Sequence, residues 1–166
     1  MSNHKSLRRR QGAVLIEFAL VVMMLVVLVF GITELGRALY QWNTLTKAAE
    51  VGARYLTRSY GGLDPLTCSP RTGWDARVDE AENLVVYGAP IPSDGAIPRL
   101  PGLTTDMVEI EEPEQVSISS GGGVIQACVI KIAVTEVPFD SVVISDLLGF
   151  ANIKLSAYAE ERYIGE

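Results

Sequence analysis

The chain of 166 residues has one histidine, His4, and two cysteines, Cys68 and Cys128. A single histidine close to the N-terminus excludes Ser–His–Asp triads and histidine-based metal clusters. Proline is missing between Ala13 and Leu63, so nothing forces a kink there. Charge is missing between Phe18 and Thr33. Base is scarce once the first residues are passed. Four of the 14 Lys and Arg residues, Lys5, Arg8, Arg9 and Arg10, precede Ala13, leaving ten against 20 Asp and Glu. An acidic body of this kind lacks the basic footprint that nucleic acid requires. Gly121-Gly122-Gly123 lacks the lysine and the following helix of a phosphate loop, and reads as a hairpin turn. The acidic pairs Glu111-Glu112 and Glu160-Glu161 are adjacent on expected strands. Their side chains then point to opposite faces, which suits a solvated surface better than acid–base chemistry. The sequence offers no catalytic residue, no metal site and no cofactor site.

What is present is an apolar run. From Ala13 to Thr33 nearly every residue is Val, Leu, Met, Ala, Phe or Ile. About twenty such residues span a bilayer core. The competing reading, a buried core helix, would need a core able to cover a helix on all its faces. The basic tip predicts an N-terminus kept in the cytoplasm and a body moved across the membrane. That arrangement is a single-pass membrane anchor with the body on the far side, in contact with membrane lipids. A conventional cleaved signal peptide fits less well. Gly36-Arg37-Ala38 has small residues in the right places, but Glu34 and Arg37 crowd the site and the helical pattern runs through it.

Four segments follow: a leader over 1–12, a transmembrane helix over 13–33, its extramembrane continuation over 34–58 and an α+β body over 59–166. In the continuation, Leu35, Leu39, Trp42, Thr46, Ala49, Ala53 and Leu56 recur at spacings of three and four, one face of a helix. Helix from Ala13 to Arg58 would run roughly 70 Å. The stripe can pack on this chain's own sheet, on helices of other subunits, or on both with different faces. A second helix is expected over Trp74–Tyr87, with Val78, Ala81, Leu84 and Val85 on one face and Gly88 as its cap. Beyond the Pro- and Gly-rich stretch 89–102 the period becomes two. Strands are expected at Met107–Glu111, Gln115–Ser119 and Val124–Pro138. A last one, near Ile153–Tyr163, points Ile153, Leu155, Ala157 and Ala159 inward. A short helical turn is expected within Asp140–Gly149. The fold class is therefore α+β, with a small antiparallel sheet packed on the stalk helix. Cys68 and Cys128 either bridge, which an extracytoplasmic body permits, or stay free with Cys128 buried as a small hydrophobe.

One carboxylate interrupts the apolar run. Glu17 sits five positions after Gly12, beside Phe18. An acid in a spanning segment costs about 2.5–3.5 kcal/mol at the centre and less near an interface, so an offsetting partner is expected. Cleavage after Gly12 would leave an ammonium on Ala13, one helical turn from Glu17. The helix dipole also favours an anion in that first turn. A neighbouring subunit's ammonium would serve equally. Otherwise Glu17 reaches the headgroups opposite Arg10.

The basic leader, the Gly-x-x-x-x-Glu-Phe spacing and the continuous helix resemble prepilins. Phe30-Gly31-Ile32-Thr33-Glu34-Leu35-Gly36-Arg37-Ala38-Leu39-Tyr40, with Ala48-Ala49-Glu50-Val51-Gly52-Ala53-Arg54-Tyr55, is similar to the TadE-like family of tight-adherence pilus proteins. The resemblance covers Arg8 to Thr57, and more weakly Val129–Phe139 and Ser156–Glu161. It implies a pseudopilin or minor pilin of a Flp/Tad type IVb apparatus, with a pilin-like fold and no catalysis of its own. TadE- and TadF-type members share this start. By motif match Gly12 precedes the cut made by prepilin peptidase, Ala13 becomes the N-terminus, and Glu17 with Phe18 aligns subunits in assembly. The implied partners are the peptidase, other pilin-like subunits and the Tad machinery. The alternative from a different class is an unprocessed, signal-anchored envelope binding module.

Overall fold

A computed structural model describes residues 4–120, 123–141 and 153–164, with side chains from Gly12 onward. The element order is α1 (His4–Thr57), α2 (Trp74–Tyr87), β1 (Val108–Ile110), β2 (Glu114–Ser120), β3 (Gly123–Pro138) and β4 (Lys154–Arg162). This is the α+β, pilin-like set of elements expected from the sequence. The helical turn expected within Asp140–Gly149 falls almost entirely outside the described residues.

The chain forms two compact units, one carrying α1 up to Ala38 and the other starting at Leu39. In the first, α1 is a helix long and apolar enough to cross a membrane, and its apolar window is unburied. Met23, Met24 and Phe30 are exposed at 67%, 77% and 54%. A core helix in a soluble protein would be covered, so the exposure sets this helix apart from that reading. Near the end of the unit Glu34 is buried, and its Oε1 accepts a hydrogen bond from Arg37 Nη1 at 3.1 Å.

The second unit holds the core. Leu45, Ala48, Ala49, Ala53 and Leu56 of α1 join Ala81, Val85 and Val86 of α2 and Ile130, Ile132 and Val134 of β3 in one cluster. Gly52 explains how α1 comes so close. A Cβ added there would lie 2.6 Å from Val85 Cγ2 and 3.2 Å from Ile132 Cδ1. The expected stripe is corrected at its start. Leu35, Leu39 and Trp42 are exposed, and the buried face begins at Leu45. Three- and four-residue spacing continues up the helix, but spacing marks only a face; burial also needs something packed against it.

β3 is the sheet's spine. Val129 pairs with Glu114 of β2 and with Arg162 of β4, so these partners lie on opposite edges. β1 takes the β2 side further along, at Ile132–Val134. The antiparallel sheet is thus three strands wide. Ser120 pairs with Gly123 at the hairpin's end. On β4, Ala157 and Ala159 are buried while Lys154, Ser156, Tyr158 and Glu160 are exposed, which is the alternation expected. A bulge between Val134 and Val137 places Glu136 at φ 62°, and Lys154 meets its carboxylate at 2.8 Å. α2 ends as its sequence suggested, at Gly88 with φ 81°, whose N–H donates to the Leu84 carbonyl.

The loop after α1 is tied down in three ways. Cys68 and Cys128 are bridged, with Cα atoms 5.4 Å apart and a sequence separation of 60. A bridge of this loop length stabilises a domain by about 2–4 kcal/mol. Tyr163 Oη donates to the Ser59 carbonyl and accepts from the N–H groups of Gly62 and Leu63. Asp64 accepts from the N–H groups of Leu66 and Thr67 and from Arg71 Nη2. Tyr163 thus fixes the chain just after β4 to the loop that follows α1, the bridge ties that loop to β3, and Asp64 closes the loop on itself.

Candidate processing and assembly site

Gly12, Ala13, Glu17 and Phe18 all lie on one uninterrupted helix. A Cβ at Gly12 would meet nothing within 4 Å. Ala13 and Glu17 are both exposed, and their four-residue separation puts them one above the other on the helix surface. Phe18 is exposed at 66%. Among the described residues Glu17 has no ion-pair partner. The backbone of Lys5, Arg8, Arg9 and Arg10 belongs to the same helix, within about two turns ahead of Gly12. The residues singled out in sequence thus share one helical segment, except for Cys68 and Cys128, which belong to the body.

The body's electrostatics sit elsewhere. Lys131 Nζ lies 3.0 Å from Glu114 Oε2 and 4.0 Å from Glu111 Oε2. The Glu114 hydrogen bond leads in raising its pKa above the ordinary lysine value. Tyr55 Oη donates to Glu80, and that hydrogen bond, then burial, raises the phenol's pKa. Burial, assisted by Asp79, raises that of Glu82. Glu161 keeps the solvent contact expected of it and also gains a partner. Arg54 Nε meets it at 3.2 Å, joining α1 to β4. The signal was available: β4 alternates, so one of two adjacent glutamates had to face the helix layer or its rim. Arg54 and Arg58 at a four-residue spacing are a second signal that the sequence reading passed over. Among the described residues no group of three or more His, Cys, Asp or Glu side chains is placed to hold a metal ion.

A long exposed apolar helix, a second helix and a small antiparallel sheet make a pilin-like arrangement of elements. The family model described as TadE-like protein matches residues 12–54. The match starts at Gly12 and covers nearly all of α1 beyond it, leaving α2 and the sheet outside. The likeness is therefore to that family's helical segment. No curated protein and no solved structure matches the chain.

Proposed function

We propose that this protein is a pseudopilin or minor pilin of a Flp/Tad type IVb pilus, cut by prepilin peptidase after Gly12 and acting in pilus assembly and adhesion. The observation that carries the reading is Glu17, a lone carboxylate among exposed apolar side chains, one turn after Ala13 and inside the TadE-like match. Cleavage supplies the cation that Glu17 lacks, either on its own Ala13 or on a neighbouring subunit. The cut removes the basic leader and keeps the apolar helix. The same helix then serves first as an anchor in the inner membrane, with the body in the periplasm, and later as an assembly surface. The Cys68–Cys128 bridge supports an oxidising compartment for the body. The exposed residues Leu35, Leu39 and Trp42 extend the assembly surface past the membrane. Their partners are other pilin-like subunits and the Tad machinery.

The test is the N-terminus of the membrane-extracted protein. Cells with active prepilin peptidase are expected to yield chains beginning at Ala13. Cells without it should yield chains that keep the leader, as should a variant with Gly12 replaced. A chain that retains its leader in the presence of active peptidase overturns the proposal and leaves an unprocessed, signal-anchored binding module in its place.

A further inference from the structure

Within the second unit an open groove of about 810 Å³ lies between α1 and α2. Its polar lining includes Arg54, Tyr55 and Arg58 from α1 and Arg77 and Glu80 from α2. Three of the ten basic residues beyond Gly12 therefore converge on one concavity of an acidic chain. Three of the five groups are already committed. Arg54 meets Glu161 at 3.2 Å and Glu50 at 3.8 Å, and Glu80 accepts from Tyr55. Arg58 and Arg77 make no ion pair among the described residues. Two arginines from opposite walls thus line the groove outside any ion pair, beside the single carboxylate of Glu80, and guanidinium groups of this kind can bind carboxylates bidentately.

The same chain carries the complement. Glu109, Glu111, Glu112 and Glu114 flank the turn between β1 and β2, and all four are exposed. Lys131 engages Glu111 and Glu114. Glu109 and Glu112 make no ion pair among the described residues. Pro113 restricts the backbone between Glu112 and Glu114, which lowers the entropy lost on docking.

We propose that the α1–α2 groove docks the acidic β1–β2 turn of a second copy of this chain, Arg58 and Arg77 receiving the carboxylates of Glu109 and Glu112. Groove and turn are different surfaces of one chain, so the contact is heterologous and repeats from copy to copy as an open array. This goes beyond the function proposed above and does not depend on cleavage at Gly12.

A photo-crosslinking residue in place of Ala76, an exposed position on the groove wall, tests it in the full-length chain in membranes. The expected product is a dimer adduct whose cross-linked peptide contains Glu109–Glu114. Reversing charge with Arg58→Glu and Arg77→Glu should cut the yield at least about tenfold, since juxtaposed like charges strongly disfavour association. Glu109→Arg with Glu112→Arg should do the same, and all four changes together should restore it. Protease resistance of the body checks that each variant folds. No dimer adduct, an adduct to another segment or another protein, or a four-fold variant without restored yield overturns the proposal. The N-terminus of the mature chain is read separately, so failure here leaves the processing question untouched.

Discussion

Two stretches of α1 handle their apolar side chains differently. Leu39 and Trp42 stand 56% and 49% exposed, and Val14 to Ile32 are exposed throughout, whereas Leu45, Ala49, Ala53 and Leu56 are fully buried. Hydrophobicity does not separate them, because the exposed stretch is the more hydrophobic. Side-chain size does. The exposed stretch is built of Val, Leu, Met and Phe, and the buried face mostly of Ala and Gly. Small residues let a second helix and a sheet approach closely enough to exclude water. Large ones all round leave a surface that lipid or neighbouring helices must cover.

The largest test of this contrast is a charge placed on each stretch. Leu45→Asp puts an unpaired carboxylate into the core and should cost about 3–5 kcal/mol, enough to unfold the body. Leu39→Asp should change the body's stability by no more than about 0.5 kcal/mol, as exposed substitutions do, while reducing piliation. Protease resistance and thermal unfolding in detergent read the first effect, and pilus counts the second. Equal loss of stability in both variants would erase the distinction between the two stretches.

Glycines sharpen it at smaller magnitude. Gly52→Ala must push a methyl against Val85 and Ile132, and overpacking of this kind costs about 1–3 kcal/mol. Gly36→Ala meets nothing within 4 Å, so it should only gain helix propensity, up to about 1 kcal/mol. Opposite shifts of the melting temperature are expected. A drop for Gly36→Ala would mean that a body residue covers that position.

The sequence revealed the elements because their signals are local. The apolar run, the period-two alternation of β4 and Gly88 after α2 each depend on a few neighbouring residues. The limits of α1's buried face were not legible in this way. Leu35, Leu39 and Trp42 follow the same spacing as Ala49 and Ala53, and only the extent of α2 and the sheet decides which are covered. The bridge between Cys68 and Cys128 is non-local too, since two cysteines 60 residues apart are equally consistent with free thiols. The candidate processing site was legible because its residues span only a few helical turns. The arginine groove was not, since Arg77 reaches Arg58 only through helix packing.

The smallest effect expected is a pH dependence confined to the end of α1 that is held by the body. N–H donation from Leu66 leads in holding Asp64 below its ordinary value of 3.8, with Arg71 next. A carboxyl whose pKa is lowered by folding contributes stability above its unfolded value and loses that contribution as pH falls through its folded value. Protonation below about pH 4 should therefore loosen the loop that carries Leu63 and Cys68 over the helix end. Hydrogen exchange, corrected for its intrinsic pH dependence, is expected to quicken for loop amides as pH falls below the ordinary value of 3.8, and Asp64→Asn should flatten that change. Amides of Leu25 and Val26, at least two helical turns from both Glu17 and Glu34, should show no corresponding change. An identical response in the Asp64→Asn variant would mean that another acid, not Asp64, ties this loop to the buried end of the helix.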